Sequence, residues 1–269
     1  MNFIFGLLLF VSLKGYAQVE TNEFEIPPPD KVIREIRRVS VTELPQKFSM
    51  LVWNIHKATA GDAWSRDFLA LAPQYELILL QEGHTIPVVN RAFDTLVNYS
   101  WTFFTSFFFK GEATGVVTGG TVQPFQSEYL RTPNNEPVIK TPKVTGIGVY
   151  HVAGISLPLL VLNIHGINFV NNLAFENQIL QNLERVKTHT GPVIYAGDFN
   201  TWNAARKNFL ITKARELGLE ASDLMIEGVP KPILDHILTR GISIESGRTL
   251  EEIISSDHKP LAVLLKVLE

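Results

Sequence analysis

Ser256-Asp257-His258-Lys259-Pro260 runs directly into the apolar stretch Leu261-Ala262-Val263-Leu264-Leu265. An acid, an imidazole and a cation stand side by side, then give way to a strand-like run. Such residues are poor neighbours for a hydrophobic core, so the boundary marks the rim of a sheet. The pattern recurs along the chain. Trp53-Asn54-Ile55-His56-Lys57 ends an apolar run that starts at Phe48, and Gln81-Glu82-Gly83 ends the run from Leu77. Asn163-Ile164-His165-Gly166-Ile167-Asn168 and Gly197-Asp198-Phe199-Asn200-Thr201 end two more, and Leu234-Asp235-His236 marks another. One such insertion is ordinary. Six in order predict a single site assembled along one sheet edge. Carboxylates and Asn supply hard oxygen ligands for a divalent cation, while Asp and His supply acid and base. That combination suits phosphate-ester hydrolysis.

The runs between these clusters predict the architecture. Phe48 to Ile55, Tyr75 to Gln81, Thr114 to Thr121, Lys143 to Ala153, Ser156 to Ile164, Val193 to Gly197, Ile233 to Thr239, Ile242 to Ser246 and Leu261 to Val267 read as strands. Helices are expected at Trp64 to Leu71, Pro87 to Val97, Leu173 to Lys187 and Ala204 to Leu217. In the third, Phe175, Ile179, Leu183 and Val186 are spaced for one face. Trp101 to Phe109 is aromatic on both faces, which fits a strand buried on both sides or, alternatively, a platform for stacking bases. Gln123 to Pro142 is polar with four prolines and reads as a long loop in reach of substrate. Many strands with few helices predict an α/β fold of two packed sheets flanked by helices.

Composition narrows the function class. Of 269 residues, 45% are hydrophobic and 19% charged, which excludes a disordered chain, and the net charge of −3 excludes an overall basic nucleic-acid footprint. Phosphate handling stays open, because a bound metal can supply positive charge. With no Cys, the chain has no thiolate nucleophile, no Cys-zinc site and no lipoprotein anchor.

Phe3 to Leu13 is apolar apart from Gly6 and Ser12, and small residues follow at Gly15 and Ala17. This predicts a signal peptide over residues 1–17, cut before Gln18, and export to the periplasm or medium. The run falls short of the roughly 20 residues of a membrane span, so no transmembrane segment is expected in the mature chain. Since no Lys or Arg precedes the run, a buried helix or an uncleaved anchor is the alternative. Residues 18–46, with Pro27-Pro28-Pro29, read as an extended, solvated segment, in which Val32 to Val41 forms a short strand or helix against the main body. A single domain then covers residues 47–269. No stable protein partner is implied.

The ordered clusters resemble the endonuclease/exonuclease/phosphatase superfamily, the group typified by pancreatic-type DNase and the abasic-site repair endonucleases. Ser256-Asp257-His258-Lys259-Pro260 carries the resemblance most specifically, and Gly197-Asp198-Phe199-Asn200 comes second. The resemblance implies a four-layered α/β sandwich and metal-dependent hydrolysis of phosphodiesters or phosphomonoesters. It makes Glu82 the principal ligand of Mg²⁺ or Mn²⁺, with Asn54 beside it and Asp257 as a further contributor. It pairs Asp235 with His258, which then acts as a base or as a transition-state stabiliser. Asp198 orients or deprotonates the attacking water, though capping of the next helix is an alternative role for it. Asn200 and Asn168 donate to phosphate oxygens, and His165 is a second acid near the leaving oxygen.

Other positions are less determined. His56 and Lys57 suit either phosphate contact or a solvated loop. Arg131 and Lys140 are candidates to hold substrate. His236 alternates with Asp235 and is expected to be structural, and His84, His151 and His189 have no evident partner. The expected function is a secreted nuclease acting on DNA. A phospholipid or inositol-phosphate hydrolase on the same framework is the alternative, and a non-catalytic binding module is a more distant one.

Overall fold

A computed structural model describes residues 23–222 and 234–269. The expected signal peptide, the first residues of the segment after it, and Ile233 lie outside the described residues. The chain opens with β1 (Phe24–Glu25), β2 (Ile33–Arg37), β3 (Glu43–Leu44) and β4 (Lys47–Asn54), followed by α1 (Asp62–Leu71). Next come β5 (Leu77–His84), α2 (Pro87–Thr95), β6 (Ser100–Phe109) and β7 (Glu112–Gly120). β8 (Gln126–Arg131), β9 (Val144–Val152) and β10 (Ile155–His165) lead into α3 (Asn172–Lys187). β11 (Val193–Asp198), α4 (Ala204–Arg215), β12 (Glu220–Ala221), β13 (Asp235–Arg240), β14 (Ile242–Thr249) and β15 (Leu261–Val267) complete the described chain.

These strands form two mixed sheets. The first has the order β1-β6-β7-β5-β4-β15-β14, with β2 also on β6. The second has the order β12-β13-β11-β10-β9-β3, with β8 also on β9. Alternation along the strands divides the apolar residues among layers. Met50 and Val52 of β4 meet Val161 of β10 and Ile194 of β11 between the sheets. Leu51 and Trp53 turn outward onto Trp64 and Phe68 of α1 and Phe93 of α2. On the other side, Leu160, Leu162 and Tyr195 pack on Phe175, Ile179 and Leu183 of α3 and Leu210 of α4. The result is helix, sheet, sheet, helix, as expected. β6 is buried on both faces along most of its length, so its aromatics are core and not an exposed stacking surface.

Two expectations need correction. Residues 23–46 are extended but not a solvated tether. Phe24 pairs with Phe109, Ile33 with Phe104 and Glu43 with His151, so the segment edges both sheets, and Val32 is fully buried. The Pro-rich composition pointed to solvent, but open sheet edges offered the segment hydrogen-bond partners. The stretch from Gln123 to Pro142 is not one loop either, since β8 runs through it and pairs with β9.

The parallel pairs β4-β5 and β10-β11 carry Asn54, Glu82, His165 and Asp198 to one end of the sandwich. β13 runs antiparallel to β11 and brings Asp235 opposite Asp198 at that same end. Among the described residues, no helix is long and apolar enough to cross a membrane.

Candidate active site

Beneath the site, Gln81 and Asn163 join the two sheets. Gln81 Nε2 donates to Asn163 Oδ1 at 2.7 Å, and Asn163 Nδ2 donates to the Val117 carbonyl at 3.0 Å. Both side chains are fully buried, so these two members of the polar clusters are a structural tie and not part of the reactive surface.

Local backbone features aim the reactive groups. The register between β5 and β7 shifts between Leu80 and Gly83, a bulge that turns Glu82 into the left-handed region (φ 53°). Gly197 (φ 138°) lets β10 and β11 close together, because a Cβ there would sit 2.1 Å from the Ile164 carbonyl oxygen. His56, Lys57 and Ala58 are three consecutive left-handed residues after β4, and strained turns of this kind collect at functional sites.

The side chains form a continuous network. Asn54 Nδ2 donates to Asp198 Oδ2 at 2.9 Å and lies 3.4 Å from Glu82 Oε1. Its Oδ1 accepts from the His56 N–H, so the amide turns its nitrogen toward the carboxylates. His165 Nε2 stands 3.7 Å from Asp198 Oδ2 and 4.0 Å from Glu82 Oε1. His258 Nδ1 is 2.7 Å from Asp235 Oδ2, and its Nε2 is 3.9 Å from Asp198 Oδ2. Six of the sequence-selected residues therefore meet in one cluster.

The remaining selected residues surround this cluster. Asp257 is mostly exposed and faces His56 Nδ1 at 3.6 Å. Asn168 gives its backbone N–H to Glu136 and accepts from the Phe169 N–H. Asn200 donates its amide to the Gly166 carbonyl at 2.8 Å and gives its N–H to Asp198 Oδ1. Asn203, not Asp198, caps α4 by accepting from the Arg206 N–H, so Asp198 is not needed as a cap.

Environment divides the titrating groups. Burial is the main cause that pushes the Asp198 pKa up to about 7, and the Asp235 charge adds to it. His258, the Asn200 N–H and the Asn54 amide pull the other way. Burial opposes a charged ring at His258, but the Asp235 hydrogen bond and charge, with Asp198 and Asp257, raise it to about 9. Burial, then Lys143, His258 and Lys57, hold His165 well below its ordinary value. At neutral pH the site thus holds a cationic His258, a neutral His165 and an Asp198 poised between forms, the separation that assigns acid and base.

Some contributors had no sequence signal. Glu136, Ile139, Lys143 and Phe169 join the sequence-selected Lys57 and Asn168 in lining a cleft of about 230 Å³ beside Glu82 and His165. Gln178 accepts from the Ile167 N–H and donates to the His165 carbonyl. Arg206 is fully buried and donates to the carbonyls of Ile167, Asn200 and Val170, clamping the loops after β10 and β11 together. Nothing in sequence separates Arg206 from any other helix-start cation.

Other positions have structural partners. His236 Nε2 meets Thr201 Oγ1 at 2.7 Å, and its ring stands edge-on to Phe199, as a structural residue would. Arg131 donates to the Pro27 carbonyl, His189 Nε2 meets the Pro158 carbonyl, and His151 stacks on Phe125. Lys140 is exposed in the loop beside the cleft. A larger recess of about 410 Å³, lined by residues such as Gly154, Ile155, Gly191 and Pro192, lies at the opposite end of the strands. Its lining carries none of this chemistry.

The sequence profile of the Endonuclease/Exonuclease/phosphatase family matches residues 51–258, from within β4 through His258. The chain belongs to the endonuclease/exonuclease/phosphatase family. Members of this family are phosphoric ester hydrolases that depend on divalent metal. A UPF0294 protein of Vibrio cholerae is 32% identical over 239 residues, covering 85% of this chain and 81% of that protein. A UPF0294 protein of Klebsiella pneumoniae is 32% identical over 223 residues, covering 81% and 82%. Solved structures share the fold. A family member from Beutenbergia cavernae superposes with a TM-score of 0.65 at 18% identity, covering 82% of this chain and 72% of that one. D. rerio TDP2, complexed with a single-strand DNA product, superposes with a TM-score of 0.59 at 16% identity, covering 82% and 99%.

The residues present fit a family metal. Glu82, Asp198 and Asp235 crowd their carboxylates around two imidazoles, one of them held neutral, and a divalent cation would balance that excess of negative charge. Oxygen donors suit a hard ion. Asp198, Asp235 and His258 also offer one ligand atom each, all within 4.8 Å of one another. The short Asp235–His258 contact already employs one donor or acceptor atom of each of these two residues, which leaves Glu82 as the freer anchor.

Proposed function

We propose that this protein is an exported, divalent-metal-dependent phosphodiesterase, with DNA as the substrate its fold neighbours support. The observation that carries the hydrolase reading is the chain Asp235–His258–Asp198 beside Glu82. Glu82, with Asp257 near the rim, would hold the cation, while Asn54, expected as a ligand, presents its Nδ2 to the carboxylates and so orients them instead. When bound, the cation polarises the scissile phosphate and offsets developing negative charge.

The side chains then divide the remaining work. Asp198, ionised, accepts a proton from the attacking water, and Asn54 Nδ2 fixes the carboxylate for it. His258, held by Asp235 and positively charged, donates from Nε2 to a phosphoryl oxygen as charge builds. His165, held neutral beside Asp198, donates an N–H hydrogen bond to the leaving oxygen, which takes its proton from solvent water, so it is not the second acid that the resemblance implied. Asn168 faces the cleft and contacts phosphate. Asn200 holds the Asp198 loop against Gly166, a positioning task in addition to any phosphate contact.

The deciding assay is plasmid DNA cleavage with Mg²⁺, with Mn²⁺ and with chelator, alongside His258→Ala. Metal-dependent cutting lost in the variant supports the nuclease. Folded protein that leaves DNA intact removes DNA as substrate. The export reading, drawn from the apolar run Phe3 to Leu13, predicts a mature N-terminus at Gln18, and N-terminal sequencing of secreted material checks it.

One observation favours a second substrate class, phospholipid or inositol-phosphate headgroups. The two lysines that line the cleft each face a glutamate, Lys57 to Glu82 at 4.0 Å and Lys143 to Glu136 at 3.3 Å. A groove that tracks a nucleic-acid backbone needs cations available to phosphate.

A further inference from the structure

Two β-bulges meet at β7 and shape the cleft beside Glu82 and His165. The β5–β7 register shifts between Leu80 and Gly83, which sets Glu82 at the cleft. The β6–β7 register shifts between Thr105 and Phe107, which does the same for Ser106. Bulges re-aim side chains next to active sites. Thr114 and Gly115 of β7 adjoin both bulges and line the cleft as well. The loops after β8 and β10 add Glu136, Lys143, Asn168 and Phe169.

Two polar groups in this cleft are buried with donors to spare. Thr114 is 6% exposed, and its Oγ1 has no hydrogen-bond partner among the described residues. Lys143 pairs with Glu136 at 3.3 Å, with the two side chains only 12% and 9% exposed. An ammonium carries three donors. Glu136 Oε1 meets one of them and also accepts the Asn168 N–H at 3.0 Å, so that carboxylate is already occupied. No other acceptor bonds Lys143 Nζ among the described residues. Withdrawing an ammonium and a hydroxyl from water without full partners is costly. A ligand with several anionic oxygens satisfies both. The loop is built in advance for this, since Thr132 Oγ1 accepts the Lys143 N–H and the Glu136 and Lys140 N–H groups bond to the Thr141 and Glu136 carbonyls.

Position decides which oxygens these are. The cleft is lined by Glu82, His165 and Asn168, and not by Asp198, Asp235 or His258. It therefore extends from the reacting centre on the His165 side, where the leaving oxygen lies.

We propose that Lys143, held in place by Glu136, and Thr114 form a subsite for a second phosphate, one carried by the alcohol that leaves. The inference rests on the phosphodiesterase reading and adds a specificity device to it. One spare ammonium and one hydroxyl hold a single phosphate. They do not make a groove that tracks a long backbone, in keeping with the pairing of both cleft lysines.

The experiment titrates the full chain by calorimetry, with Mg²⁺ present, using thymidine 3′,5′-bisphosphate and each thymidine monophosphate. One phosphate takes the product position and the other reaches the subsite. The bisphosphate should bind about 10–100-fold more tightly than the better monophosphate, as hydrogen bonds to charged groups supply. That gain should be largely lost in Lys143→Met/Glu136→Gln, which leaves no lone buried carboxylate, and partly kept in Lys143→Arg. Thr114→Val should reduce the gain while the thermal midpoint holds or rises, because it removes a buried hydroxyl that has no partner. A purely structural Thr114 would leave the gain untouched. Glycerol 1,3-bisphosphate against glycerol 1-phosphate separates the sources of the second phosphate. A gain with the thymidine ligands alone makes the leaving group a nucleoside, and a gain in both series extends the subsite to acyclic alcohols.

A parent that shows no gain in either series overturns the proposal. So does a gain that survives both Lys143→Met/Glu136→Gln and Thr114→Val. Hydrolysis of bis(p-nitrophenyl) phosphate with Mn²⁺ is measured separately. Hydrolysis without the gain refutes the subsite and leaves the phosphodiesterase reading standing. The gain without hydrolysis of any diester removes that reading and leaves the phosphate subsite.

Discussion

His258 shows how a single residue is set by its neighbours. The Asp235 carboxylate 2.7 Å away keeps the ring charged against burial, and burial raises Asp198 on the far side to about 7, poised between its two forms. Activity needs Asp198 ionised and His258 protonated. The pH profile of kcat/KM should therefore rise through about 7 and fall through about 9. Asp235→Asn should move the falling limb to lower pH, and His258→Ala should lose about 10²–10⁴ of the rate with the fold intact. Both pKa values lie above their ordinary ones, so the folded chain binds these protons more tightly than the unfolded chain. Stability attributable to His258 is full below about 6.5 and lost as pH rises through about 9. For Asp198 it declines from about 4 to about 7. Asp198→Asn should accordingly be inactive at pH 8 yet more stable there by about 1–3 kcal/mol, read from urea unfolding in chelator. The identities of these residues were visible in sequence because a carboxylate or imidazole at the end of an apolar run has no packing role. Their charge states were not, because they depend on distances between residues far apart in the chain.

At the scale of elements, β10 and β11 set the site's dimensions. Their parallel pairing places His165 beside Asp198, and Gly197 and Gly166 allow the strands and loops to approach that closely. Gly197→Ala should cost about 3 kcal/mol by forcing a Cβ onto the Ile164 carbonyl, and activity should fall even where the protein stays folded. Arg206 acts across two loops. Arg206→Met leaves three carbonyls without their donor and should destabilise by about 2–4 kcal/mol, with kcat falling more than KM rises. Denaturant midpoints and steady-state kinetics test both. The strand and helix spans were close to those read from periodicity, because alternation and the 3.6-residue repeat report burial directly. β8 has no periodic signal in sequence, because its residues are only half-buried at a sheet edge and carry no alternation. β2 is ambiguous in sequence for the same reason.

The whole molecule is a sandwich whose far ends differ in chemistry. One end gathers three carboxylates, two histidines and a cleft, and the other holds a recess lined by residues such as Gly154, Gly191 and Pro192. Crowded negative charge predicts that Mg²⁺ or Mn²⁺ stabilises the fold, by about 2.7 kcal/mol at a hundred times its dissociation constant. A thermal shift that appears with metal, reverses with chelator and is absent in Glu82→Gln is the expected outcome. The amino-acid sequence by itself determined the layered α/β class, the order of the polar clusters and the residues able to act, since hydrophobic periodicity and the chemistry of side chains are local properties. Only the tertiary structure decided which of those residues meet. It buried Gln81 and Asn163 as a tie between sheets, set Asp257 at the rim, brought Arg206 under two loops and placed Thr114 and Lys143 in the cleft wall. Those outcomes follow from strand register and loop closure, which bring together residues that no local pattern connects.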